Sequence, residues 1–238
     1  MKNLWHITYR ELKAYFASPV AYVVSALFLI AMGYLFSLIL INSRDASMRG
    51  VFSNMVFILL LLAPALTMKM LAEEQRMGTL ELLLTAPVQD WQVVVGKYLA
   101  SVVLFAVMLL GPTLYYAVIL QVFGPPDWGP ILTGYLGILM LGASFLAVGM
   151  FTSSITQNQV IAYFAGMVIL ILLWILDAAT GSVCSGPVAD VLTYLAIPRH
   201  YDGFFSGVLD TVDIVYSLGI ISVALFLATQ VLQTRRWR

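Results

Sequence analysis

The chain has 238 residues, 61% of them hydrophobic and only 10% charged, with a mean hydropathy of +0.95. Soluble domains are close to half apolar and a quarter charged, so this balance excludes an ordinary soluble globule and points to a membrane protein. Twelve Lys and Arg against twelve Asp and Glu leave no net basic field to gather nucleic acid. The single Cys184 excludes an internal disulfide, and no CxxC or Cys/His cluster has metal-ligand spacing.

Residues 1–18 read as an amphipathic interfacial helix. Leu4, Trp5, Thr8, Leu12, Tyr15 and Phe16 share one face of a helical wheel, while Lys2, His6, Arg10 and Lys13 recur on the other. Such a helix sinks its aromatic face into the acyl boundary and turns its cations to anionic headgroups, or it serves as a basic anchor that fixes topology; the two roles are compatible. Ser18-Pro19 then turns the chain into the first span.

Residues 19–238 form a six-span transmembrane domain. A crossing helix needs roughly 20 mostly apolar residues. Six charge-free runs qualify, 19–41, 51–68, 98–123, 131–151, 160–176 and 214–233, about half of the chain. They are too long and too poor in alternation for barrel strands, so the fold class is an all-α integral membrane protein. The first run is 23 residues long behind an 18-residue leader, with no A-x-A site after it, and reads as a span instead of a signal peptide. With the N-terminus inside, the inner segments hold Lys2, Arg10, Lys13, Lys69, Arg76, Lys97, Arg235, Arg236 and Arg238, against Arg44, Arg49 and Arg199 outside. That bias predicts a multi-pass protein with both termini cytoplasmic.

Pro64 in the second run and Gly111-Pro112 in the third can bend their helices, either to line a path or to improve packing. The turn from Gly124 to Pro130 contains no Lys or Arg, as an outer loop should. The fourth run is rich in small residues, among them Gly134, Gly137, Gly142 and Gly149, with Ala143 and Ala147 four apart on one face. That face can pack within the subunit or against a second copy. The polar, uncharged turn 152–159 follows. The outer segment 177–213 contains a short apolar stretch, 188–196, bracketed by Pro187 and Pro198, which reads as a half-inserted helix, either a lid or a plain cap.

The inner segment 71–90 is the most informative. Gly78 breaks what precedes it, Thr79 is a good N-cap, residues 80–85 suffice for nearly two turns, and Pro87 ends them. Leu80, Leu83 and Leu84 give an apolar edge with Glu81 beside it, the form of a helix that docks into a partner's groove, or of a hairpin that only reverses the chain.

The string Glu73-Glu74-Gln75-Arg76-x-Gly78-Thr79-Leu80-Glu81-Leu82-Leu83-Leu84-Thr85-x-Pro87-Val88 resembles the signature of membrane subunits of ABC transporters of the type-2 exporter class, most of all the gliding-motility permease branch. The resemblance extends over the whole chain, through the turn Ser153-Ser154-x-Thr156-x-Asn158-Gln159 to the basic end Arg235-Arg236-Trp237-Arg238. It departs from that branch where Ser206 and Val212 stand in place of two arginines. The resemblance implies a permease subunit of an ATP-driven exporter that is not itself an enzyme, pairs with a second copy or a related permease, and works on separate ATP-binding subunits that hold the ATP and Mg. It further implies that Glu73, Glu74, Arg76, Gly78, Thr79, Leu80 and Glu81 couple to the ATPase. The N-terminal helix, with Trp5, Arg10, Leu12, Lys13 and Phe16, would be the elbow.

The residues themselves exclude several chemistries. There is no GxxxxGK[ST] cradle, since Trp91 and Tyr98 break the nearest string around Gly96-Lys97. HExxH and GxSxG are absent, and His6 and His200 lie on opposite sides of the membrane in the predicted topology. The eleven Met are scattered, as filler is. All 24 charged residues lie outside the six runs, which weighs against an ATPase-independent carrier that couples ions through side chains. A neutral channel and a membrane scaffold remain the readings from other classes. No residue is assigned to substrate.

Overall fold

The computed structural model describes residues 2–43, 48–79, 89–123, 127–183 and 187–236. Among these the chain is helical and contains no strand. The elements are α1 (Lys2–Ala17), α2 (Pro19–Ser43), α3 (Arg49–Thr67), α4 (Ala72–Met77), α5 (Asp90–Phe123), α6 (Trp128–Ile155), α7 (Gln159–Val183), α8 (Pro187–Leu195), a 3-10 turn (Ile197–His200), α9 (Asp202–Phe205) and α10 (Thr211–Arg236). α2, α3, α5, α6, α7 and α10 are each long and apolar enough to cross a bilayer.

Helix ends follow local chemistry. Ser18 breaks α1 from α2, and Pro19 takes a first-turn position where a missing N–H costs nothing. The Asp127 carboxylate caps α6 by accepting from the Gly129 amide at 3.2 Å. Several helices run past the apolar runs. α5 begins at Asp90, not at 98, so it carries Asp90 and Lys97; α7 continues beyond Asp177 to Val183. Thr152, Ser153 and Ser154, expected in a turn, are the last helical turn of α6 and are buried. A span does not end at its last apolar residue when polar groups at its tip find partners inside the protein.

α6 is the central helix and packs against α3, α5, α7, α9 and α10. Its small residues let this happen. A Cβ added at Gly134, Gly142 or Gly149 would overlap Phe52, Phe105 or Thr67 respectively, so side chains of α3 and α5 rest on the α6 backbone. Ala143 and Ala147 are buried in the same core, which settles their face as packing within the subunit. Pro64 stays inside a continuous α3 and presses on the α6–α7 seam, within 3.3 Å of a Cβ placed at Gly166.

α1, α4, the start of α5 and the ends of α6 and α10 gather at one end of the bundle, hereafter the near end. A small second core of Met70, Leu71, Val94, Met150, Ala228 and Leu232 lies there. At the far end α8, the 3-10 turn and α9 lie against α6, α7 and α10. α8 occupies the stretch expected between Pro187 and Pro198.

Candidate functional site

The near end is where the residues of the predicted coupling segment meet the bundle. α4 is only six residues long, too short to persist alone. It is held by the tip of α6. The Ser153 hydroxyl accepts from the amides of Leu71 and Ala72, each at 3.1 Å, and donates to the Met68 carbonyl at 3.1 Å. It thereby supplies the N-cap that Leu71 lacks. The Gln75 side-chain amide donates to the Ser154 carbonyl at 2.9 Å. At the other terminus Gly78 takes a left-handed φ of 70° and closes the helix by its amide on the Gln75 carbonyl.

The second anchor is ionic. Lys97, on α5, has a side chain only 2% exposed, and its ammonium contacts Glu74 Oε1 at 2.7 Å and Glu11 Oε2 at 3.0 Å. Glu11 Oε1 also accepts from Arg10 at 2.8 Å. Burial works to raise the Glu11 carboxyl, but Lys97 and Arg10 together outweigh it and hold it below the ordinary carboxylate range. Burial also raises the phenol of Tyr15, whose hydroxyl donates to the Leu66 carbonyl at 3.3 Å. Glu74 Oε2 and Gln75 Oε1 are buried with no hydrogen-bond partner among the described residues. A cleft of about 240 Å³ opens between α1 and α4, lined in part by Glu11, Tyr15, Lys69, Glu73, Glu74 and Lys97.

Of the coupling residues expected from sequence, Glu73 lines this cleft half-buried, Arg76 is exposed, and Glu74 is tied to Lys97. The Thr79 hydroxyl folds back on the Glu74 carbonyl at 3.4 Å. Leu80 and Glu81, with the rest of 80–88, lie outside the described residues. α1, the helix expected to be the elbow, lies along α5. Its face toward the bundle carries Leu4, Ile7, Thr8, Glu11 and Tyr15, with Ile7 so close to α5 that a Cβ on Gly96 would lie 2.8 Å from it. Trp5 is 71% and Phe16 41% exposed; Leu12 is half-buried, Arg10 is exposed beside Glu11, and Lys13 sits over the Tyr9 ring at 4.6 Å. An apolar arc of the wheel was visible in the sequence, but it spans two surroundings: protein on one flank and open surface on the other.

Sequence reasoning missed Glu11, Lys97, Gln75 and the role of Ser153. Lys97 reads from sequence as a flanking cation of a span, whereas it is the most buried charge among the described residues of the near end. One signal was available: Glu11 is the sole acid in an N-terminal helix otherwise studded with cations.

The fold and the site define a multi-pass membrane protein, a bundle of six long apolar helices with a short helix, α4, held at its near end by hydrogen bonds and an ion pair. Residues 41–237 match the family described as ABC-2 family transporter protein, and the chain belongs to that family. It is therefore an ABC-2 type permease, a membrane subunit of a transporter. It is similar to the probable multidrug ABC transporter permease YbhR of Escherichia coli, strains K12 and O157:H7, at 26% identity over 131 residues. That match covers 55% of this chain and only 35% of the length of those relatives.

Proposed function

We propose that the chain is the permease half of an ATP-driven exporter in the plasma membrane. Two permeases pair, as identical copies or as related chains, with the near end and both termini in the cytoplasm. Separate ATP-binding subunits, which carry the ATP and Mg, dock against α4 and the segment that follows it. The observation that supports this best is the build of α4: its inner side is fixed to α6 by Ser153 and Ser154, while Arg76 is exposed and Glu73 half-buried. A helix so short and so firmly tied transmits a push instead of absorbing it. The exposed Trp5, Tyr9 and Phe16 suit α1 to rest in the membrane interface while its other face stays on α5.

Affinity purification of the chain from its native membranes in mild detergent tests this reading. An ATP-hydrolysing subunit is expected to co-purify, and Glu73→Ala with Arg76→Ala is expected to cut its retention at least tenfold while leaving helix content and pairing unchanged. A chain that emerges intact without such a subunit overturns the reading in favour of a carrier or scaffold. Glu74→Ala is a poorer probe, because it strips a buried ammonium of one of its two carboxylates.

A further inference from the structure

α1 and α4 reach the near end by different routes. α1 packs chiefly on α5 and touches α2, whereas α4 rests on α6 and α7. The cleft of about 240 Å³ lies between them, and across it runs one chain of charge contacts: Glu11 on α1, Lys97 on α5, Glu74 on α4. We propose that Lys97 is a positioning residue, a strut that makes α1, α4 and the base of α5 move as one body. On the reading above, it passes a displacement of α4 by the ATP-binding subunit into α1 and the third span; the strut itself exists in the chain alone.

The two arms are unequal. Glu11 keeps Arg10 when Lys97 is lost, at 2.8 Å. Glu74 keeps no cation, for its only ion pair among the described residues is with Lys97 and its second oxygen is already buried without a partner. An unneutralised carboxylate in a side chain only 19% exposed turns toward water, and α4 follows it away from α1. The strut therefore depends on Lys97 and Glu74 more than on Glu11.

Distances between spin labels read this directly. In the full chain in lipid nanodiscs, with Cys184→Ser, labels at His6→Cys on α1 and Met77→Cys on α4 are expected to give one narrow distance population. Lys97→Met is expected to broaden it at least twofold, Glu74→Gln equally, Glu11→Gln less, and Lys97→Arg not at all. Lys97→Met combined with Glu74→Leu removes the strut while Glu11 keeps Arg10, so no charge is left without a partner; it guards against a folding failure, and it too is expected to broaden the population. A population as narrow as the unsubstituted chain's in either Lys97→Met background overturns the proposal. With an ATP-binding subunit present, Lys97→Met is expected to retain it within twofold yet lose at least tenfold of the turnover that the permease stimulates, with recovery in Lys97→Arg; unchanged stimulation counts against the strut. If no such subunit is retained by the unsubstituted chain while the broadening persists, the coupling reading fails and the strut stands.

Discussion

Both ends of the bundle hold short helices, but by different means. At the far end His200 is clamped on every side: Nδ1 meets Asp213 at 2.7 Å, Nε2 meets the Tyr194 carbonyl at 2.9 Å, and the ring stacks on Tyr216 at 3.8 Å. The Tyr216 hydroxyl donates to the Leu195 carbonyl at 2.7 Å, and Thr133 donates to the Phe204 carbonyl at 2.8 Å. Each of these groups has a partner. At the near end α4 is anchored by the Ser153 hydroxyl, the Gln75 amide and the Lys97 ammonium, and Glu74 and Gln75 keep buried acceptors in reserve. A saturated aromatic clamp favours one arrangement, whereas unspent acceptors beside a cleft allow contacts to be exchanged. The difference suits a far end that holds its shape and a near end that changes partners.

The comparison breaks most visibly at the charges. Lys97→Met leaves the largely buried Glu74 carboxylate without its cation and is expected to cost on the order of 3 kcal/mol. His200→Ala loses the polar contacts to Asp213 and to the Tyr194 carbonyl and a stack on Tyr216, for about 2 kcal/mol. Unfolding in detergent, followed by circular dichroism, should rank them in that order; a costlier His200→Ala would make the far end the more strongly electrostatic of the two. Ser153→Ala strands the amides of Leu71 and Ala72 at a cost of roughly 1 to 2 kcal/mol. Hydrogen exchange should show those amides losing protection while the far end is unchanged.

The smallest effect expected is that of acid. Because the Glu11 carboxyl is held below its ordinary value of 4.5, its contribution is complete above that pH and is lost as the pH falls through the lower, folded value. The protection of the α1 amides, taken relative to the intrinsic exchange rate at each pH, should therefore be constant from neutrality to about 4.5 and fall below it. In Glu11→Gln that loss of protection should be absent.

Much of the fold was written in the composition, because lipid allows few alternatives: six long apolar runs can hardly be anything but helices. The glycines of α6 announced close packing, Gly78 announced a helix end, and Pro187 and Pro198 framed α8. What the sequence hid was pairing at a distance. Lys97 lies 23 residues from Glu74 and, like its contact with Glu11, depends on how α1 and α4 converge on α5. A helical wheel likewise shows an apolar arc on α1 without saying that Trp5 and Phe16 lie on its open flank. Ser153 looked like turn polarity, since nothing local tells a solvated hydroxyl from one that caps another helix.

The hold of Ser153 on α4 has a further consequence. Six residues have no helical stability of their own, so α4 borrows its shape from the serine that caps it. If the tip of α6 slides or tilts by more than a hydrogen bond's reach, α4 does not simply travel with it; it dissolves. The surface that Glu73 and Arg76 present is thus set in part by a hydroxyl contributed from another span.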